Sequence, residues 1–215
     1  MSRFLKICAS TLGRKHIMAL TGLLLGGFLV FHAAGNSLIF QSREAFSAYA
    51  QRLHSLGLLL PTAGVLLLLV FFIHIVTGIS LLLRNRRAAG RRYAVSASAG
   101  GQTLASRAMS FTGLANLAFL LLHLATVRFA DQAVPTVERI SRVLTDPPLA
   151  ALYAAGIAAL ALHISHGFQS APQSLGVSHP RWNRLLRILG CLAAALIIGV
   201  FADIILLHVW AGRQT

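Results

Sequence analysis

Residues 58–83 read LLLPTAGVLLLLVFFIHIVTGISLLL, a stretch without Asp, Glu, Lys or Arg and with one histidine, His74. A bilayer core takes roughly 20 apolar residues in helical form, so this stretch predicts a membrane-spanning helix. Pro61 falls in its first turn, where a missing N–H costs little. Four further runs of the same kind lie near 17–39, 107–129, 148–170 and 186–210. The run at 107–129 is interrupted only by Thr112, Asn116 and His123. With 215 residues, 56% of them hydrophobic, and a mean hydropathy of +0.73, the chain has no room for a soluble domain of useful size. The expectation is an all-α integral membrane protein: one membrane domain over 1–215, with five transmembrane helices.

The net charge of +14 would point to nucleic acid in a soluble chain. Here it follows the loops. Arg3, Lys6, Arg14 and Lys15 precede the first run. Arg84, Arg86, Arg87, Arg91, Arg92 and Arg107 lie between the second and third, and Arg181, Arg184 and Arg187 between the fourth and fifth. The alternate loops hold Glu44, Asp131, Glu138 and Asp146, against Arg43, Arg52, Arg139 and Arg142. The positive-inside rule then sets the N-terminus in the cytoplasm and the C-terminus outside. No nucleic-acid partner is expected. The first run is long for a signal-peptide core and leads to no small-residue cleavage site, so it reads as a span. Cys8 and Cys191 stand in unlike surroundings and are assigned neither a disulfide nor a metal.

His32, His74, His123 and His163 each sit in a different run. An imidazole in a bilayer is costly unless it faces the bundle interior and has a partner. The four stand in duplicated contexts. Thr21-Gly22-Leu23 begins eleven positions before His32, and Thr112-Gly113-Leu114 begins eleven before His123. Phe28 and Phe119 lie four before their histidines, and Ala34 and Ala125 two after. His74-Ile75-x-x-Gly78 is matched by His163-Ile164-x-x-Gly167. The first two runs and the next two therefore read as related halves, with the fifth added. Chain direction places His32 and His123 late in outward runs, and His74 and His163 past the middle of inward ones. Two levels follow, roughly 10–15 Å apart at 1.5 Å per residue. The pattern predicts bis-histidine ligation of two haems, an outer one by His32 and His123 and an inner one by His74 and His163. No Cys-x-x-Cys-His occurs, so the haems would be held without covalent attachment. Gly26, Gly27, Ala33, Ala34, Gly35, Gly78 and Gly167 leave space for a flat macrocycle, although close helix packing asks for the same residues.

Competing readings are four structural histidines, or a non-haem metal site using His163 and His166. Asp203 is the only carboxylate in the spans that such a site could recruit. His166 reads as interfacial or as a neighbour of the inner haem, and His16 and His179 as solvated. Asp203 and His208 form either a proton path or an internal pair.

The chain resembles the succinate dehydrogenase/fumarate reductase cytochrome b subunit of the single-chain, five-helix, di-haem type (the cytochrome b558 family). The resemblance covers nearly the whole chain. It runs through Thr21-Gly22-Leu23 with His32, Glu44-Ala45-Phe46, and His74 with Gly78 before a basic loop. It continues through His123 with Arg128, and His163-x-x-x-Gly167 ahead of a fifth helix. It implies two b haems on the same four histidines. The implied partners are a flavoprotein subunit and an iron–sulfur subunit docked on the cytoplasmic side of a bacterial inner membrane, exchanging electrons with menaquinone or ubiquinone. The dicarboxylate chemistry belongs to those partners, because this chain has no flavin-binding glycine fingerprint and no cluster-binding cysteine set. Arg128 is placed to meet a haem propionate. Glu44 or His54, on the amphipathic stretch Ser42–Ser55, is placed to exchange protons with quinone. Alternatives are a free-standing transmembrane di-haem cytochrome b and a haem-free membrane transporter.

Overall fold

The computed structural model describes residues 10–88, 104–177 and 179–213; Arg3, Lys6, Cys8, Arg91 and Arg92 lie outside the described residues. Among the described residues the chain is helical, with no strand. In order it forms α1 (Thr11–Asn36) with a 3₁₀ turn over Ser37–Phe40, α2 (Arg43–His54), α3 (Leu59–Ala88), and α4 (Leu104–His123) with a π turn over Leu124–Arg128. Then come α5 (Thr136–Thr145), α6 (Pro147–Ser174) and α7 (Pro180–Gly212). Helices α1, α3, α4, α6 and α7 are long and apolar enough to cross a membrane.

Helices α1, α6 and α7 begin ahead of the hydropathy boundaries, because caps, not apolarity, decide where they start. Ser10 Oγ accepts the Gly13 N–H at 3.0 Å, so α1 begins six residues before the apolar run. Asp146 caps α6 by accepting the Leu149 N–H at 3.0 Å, with Pro147 and Pro148 opening the helix. His179, read from sequence as merely solvated, caps α7 by accepting the Arg181 N–H at 3.2 Å. The amphipathic stretch after α1 is the helix α2, capped by Ser42, which accepts the Ala45 N–H at 3.0 Å. Helix α5 was not anticipated. Its signal was present: Val137, Ile140, Val143 and Leu144 repeat at helical spacing among polar residues.

Packing follows a simple order. Helix α3 packs on α1, α4 on α6, α1 on α6, and α7 on α6 and α1. Among the described residues, none of the pairs α1 with α4, α3 with α6, and α3 with α4 packs to any extent. At the end where α1 finishes, α2 and α5 roof the bundle. Ile39, Phe46, Val143, Leu144, Tyr153, Ile157, Ile204 and Ile205 form a buried cluster there. Ala33, Ile164, Ala194 and Ile197 form a second cluster joining α1, α6 and α7. The other end carries exposed Lys15, Arg84, Arg86, Arg87, Arg181, Arg184 and Arg187. There Arg14 Nη1 donates to Ser80 Oγ, tying the start of α1 to α3.

Candidate functional site

Four half-buried histidines meet as two ring pairs inside the bundle. His32 of α1 faces His123 of α4, with ring centroids 6.0 Å apart and ring planes at 84°. His74 of α3 faces His163 of α6, with centroids 6.4 Å apart and planes at 73°. Each pair joins two helices that do not pack on one another, so the rings approach across the bundle. Thr21, which contacts His74, stands eleven residues before His32 on α1, which separates the two levels by about 16 Å at 1.5 Å per residue. This is slightly more than the sequence-based spacing.

Each histidine turns Nδ1 toward a polar neighbour. His74 Nδ1 is 3.0 Å from Thr21 Oγ1, and His163 Nδ1 is 3.3 Å from Thr112 Oγ1. His123 Nδ1 lies 3.5 Å from the Tyr153 hydroxyl, and His32 Nδ1 lies 3.5 Å from Asn36 Nδ2. The duplicated Thr-Gly pairs therefore serve the histidines of α3 and α6, not those on their own helices. The glycines complete the seats: a Cβ at Gly22 would lie 3.3 Å from His74 Cε1, and one at Gly113 3.5 Å from His163 Cε1. The duplicated phenylalanines do serve their own helices. Phe28 stacks on His32 at 5.2 Å, and Phe119 is tilted against His123 at 6.1 Å.

These residues fit a haem. With a metal–imidazole bond of about 2 Å and roughly 1.2 Å from ligating nitrogen to ring centre, two imidazoles on one iron have centroids roughly 6.4 Å apart. The His74/His163 pair matches that spacing at 6.4 Å, and the His32/His123 pair is slightly closer at 6.0 Å. The Asn116 amide points the same way: its Nδ2 and Oδ1 are buried without a partner. Asn116 stands between Thr112 and His123 on one stripe of α4, where the polar edge of a cofactor or a water would satisfy it. Among the described residues no three His, Cys, Asp or Glu side chains come together to hold a metal.

Other sequence-predicted residues are placed differently. Of the glycines assigned to macrocycle space, Gly26 is filled by Phe168, Gly35 by Tyr49 and Gly78 is closed by Met18, whereas Gly27 and Gly167 face open space. Glu44 and His54 are exposed at opposite ends of α2, about 15 Å apart along the helix, so they do not form one site. Its own backbone amide and the Ser42 hydroxyl hold the Glu44 carboxyl below its usual range. Asp203 is exposed on α7, whereas His208 is buried and its Nδ1–H donates to the Ile204 carbonyl at 2.8 Å. Arg128 is exposed, with its guanidinium 5.9 Å from the Phe129 ring. Two residues with no marked sequence signal emerge: Tyr153, which reads as an ordinary core aromatic, and Arg139, which reads as a solvated charge. Comparison with known protein families, with curated proteins and with solved structures finds no match.

Proposed function

We propose that this chain is the di-haem cytochrome b membrane subunit of a succinate:quinone or fumarate:quinol oxidoreductase, in a bacterial cytoplasmic membrane. The observation that carries the reading is the pair of facing imidazole pairs, at 6.0 and 6.4 Å, each spanning helices that do not otherwise pack together. Held by His32 with His123 and by His74 with His163, haem would supply one-electron transfer chemistry. The protein's part is to hold the imidazoles at two levels, keep their Nδ1 sides occupied, and exclude water from the bundle.

The end rich in exposed arginine is taken as cytoplasmic, which puts the N-terminus inside. It offers a basic face to a flavoprotein subunit and an iron–sulfur subunit, which carry the dicarboxylate chemistry. Quinone meets the roofed end. Glu44, held ionised, and His54 are alternative proton-exchanging groups there, too far apart to act on one quinone together. Arg128, exposed at the same end, supplies a cation for a haem propionate.

The test is a reduced-minus-oxidised spectrum with pyridine-haem quantitation on the purified chain. Two b haems per polypeptide are expected, falling to one in His32→Ala or His74→Ala. Folded protein without haem would overturn the proposal. Copurifying flavin and iron–sulfur clusters would distinguish the complex from a free-standing di-haem cytochrome.

A further inference from the structure

We infer that Thr21 and Thr112 are positioning residues: each fixes the tautomer of the histidine opposite it and strengthens that imidazole as an iron ligand. The inference rests on the haem reading above and goes beyond it, to what sets the electronic character of one haem relative to the other.

A proton inventory carries the argument. Thr21 Oγ1 lies 2.7 Å from the Ile17 carbonyl and 3.2 Å from that of Met18. Two oxygens that close need a proton between them, and a hydroxyl has one. With it directed to these carbonyls, Oγ1 has only lone pairs to offer His74 Nδ1 at 3.0 Å. His74 therefore carries its proton on Nδ1 and leaves Nε2 as a bare donor. Thr112 repeats the arrangement in the other half of the molecule. Its hydroxyl is 3.0 Å from the Ala108 carbonyl and 3.2 Å from that of Met109, and its lone pairs face His163 Nδ1 at 3.3 Å. A hydroxyl already donating is a more polarised acceptor, and an acceptor on Nδ1–H raises the basicity of the ligating nitrogen.

The pair nearer the roof is held more weakly. Thr126 donates to the Leu122 carbonyl at 2.8 Å, so at 2.7 Å Tyr153 must donate to Thr126, leaving only lone pairs for His123 Nδ1 at 3.5 Å. The Asn36 amide nitrogen, which donates to the His32 carbonyl at 2.7 Å, lies 3.5 Å from His32 Nδ1 and offers that ring no acceptor. The protein therefore makes the His74/His163 imidazoles the stronger donors, which favours the ferric state of their haem.

The test combines redox titration of the haem-loaded protein with ¹⁵N spectra of histidine-labelled, haem-free protein. Thr21→Val and Thr112→Val should each raise the midpoint potential of the His74/His163 haem and leave the other unchanged. Thr21→Ser should restore it. Thr62→Val, which removes a hydroxyl that donates to the Leu58 carbonyl just before α3, far along the chain from either threonine, should move neither. The His74 resonance, assigned by its loss in His74→Asn, should report the Nδ1–H tautomer in the wild type and a mixture in Thr21→Val. An unmoved potential, a shift equalled by Thr62→Val, or no restoration by serine would overturn the inference. So would a wild-type His74 protonated on Nε2, and that spectrum decides the matter even if a valine variant fails to fold. A chain that binds no haem but shows the Nδ1–H tautomer would overturn the haem reading instead.

Discussion

Arg139 is 8% exposed, yet it has no carboxylate within ion-pair distance among the described residues. Its guanidinium donates to the Val127 carbonyl and to Thr136 Oγ1, both at 2.9 Å, while Nε has no partner. Val127 lies in the π turn that follows His123, where helix-end carbonyls lack partners along the chain, so a buried cation is well matched to it. Hydrogen bonds to charged groups are worth about 1.5–3 kcal/mol. Arg139→Leu should therefore destabilise the protein by about 2–3 kcal/mol. Arg142→Leu, which removes only an exposed 3.3 Å pair with Glu138, should cost less than about 1 kcal/mol. Thermal unfolding in detergent, comparing the two variants, checks this. Sequence position favoured Arg128 because it follows His123 closely. Which arginine is buried depends on α5 folding back over the end of α4, and no local pattern encodes that.

At the scale of the helix, glycines separate into two kinds that look alike in the sequence. The Phe119 ring occupies the place a Cβ on Gly156 would take, so α4 and α6 approach through a ring set against bare backbone. Gly156→Ala forces that ring to move and should cost about 1–3 kcal/mol. Gly167, one turn beyond His163, has nothing within 4 Å of its would-be Cβ. In haem-free protein Gly167→Ala should stabilise α6 by about 0.5–1 kcal/mol, through helix propensity alone. If the open space beside Gly167 takes the macrocycle, the same variant lowers haem content, and pyridine-haem quantitation beside the unfolding curve reads both effects. Helix α5 belongs at this scale too. Its apolar stripe is legible, but ten residues between two longer runs do not reach the length of a span, so hydropathy alone passes over it.

Across the whole molecule the duplicated halves are not packed alike. Helices α1 and α6 close against one another, whereas α3 and α4, their counterparts by repeat, do not. Helix α3 rests on α1 and α4 on α6, each with little of its surface buried. A ligand held between His74 and His163, or between His32 and His123, would tie these outer helices to the core. Haem-loaded protein should accordingly show slower amide hydrogen exchange in α3 and α4 than haem-free protein, with α1 and α6 changing less. Ligand at a hundredfold excess over Kd adds about 2.7 kcal/mol by mass action. Equal protection of all five long helices would argue against the open seam between α3 and α4.

Five runs long enough to span a bilayer, and the places of His32, His74, His123 and His163 in four of them, are properties of the chain read locally. Hydropathy and a constant rise per residue are enough to set the number of long spans, though not α5, and the approximate separation of the two histidine levels. Helix rotation and the contacts between distant segments are not local, and they alone decided the rest. They turned Thr21 toward His74 and Thr112 toward His163, and brought Tyr153 to His123. They filled Gly26 with Phe168 and Gly35 with Tyr49, and buried Arg139 in place of Arg128. In each case the outcome depends on which side chain a neighbouring helix presents at that height, and that exists only once the bundle is assembled.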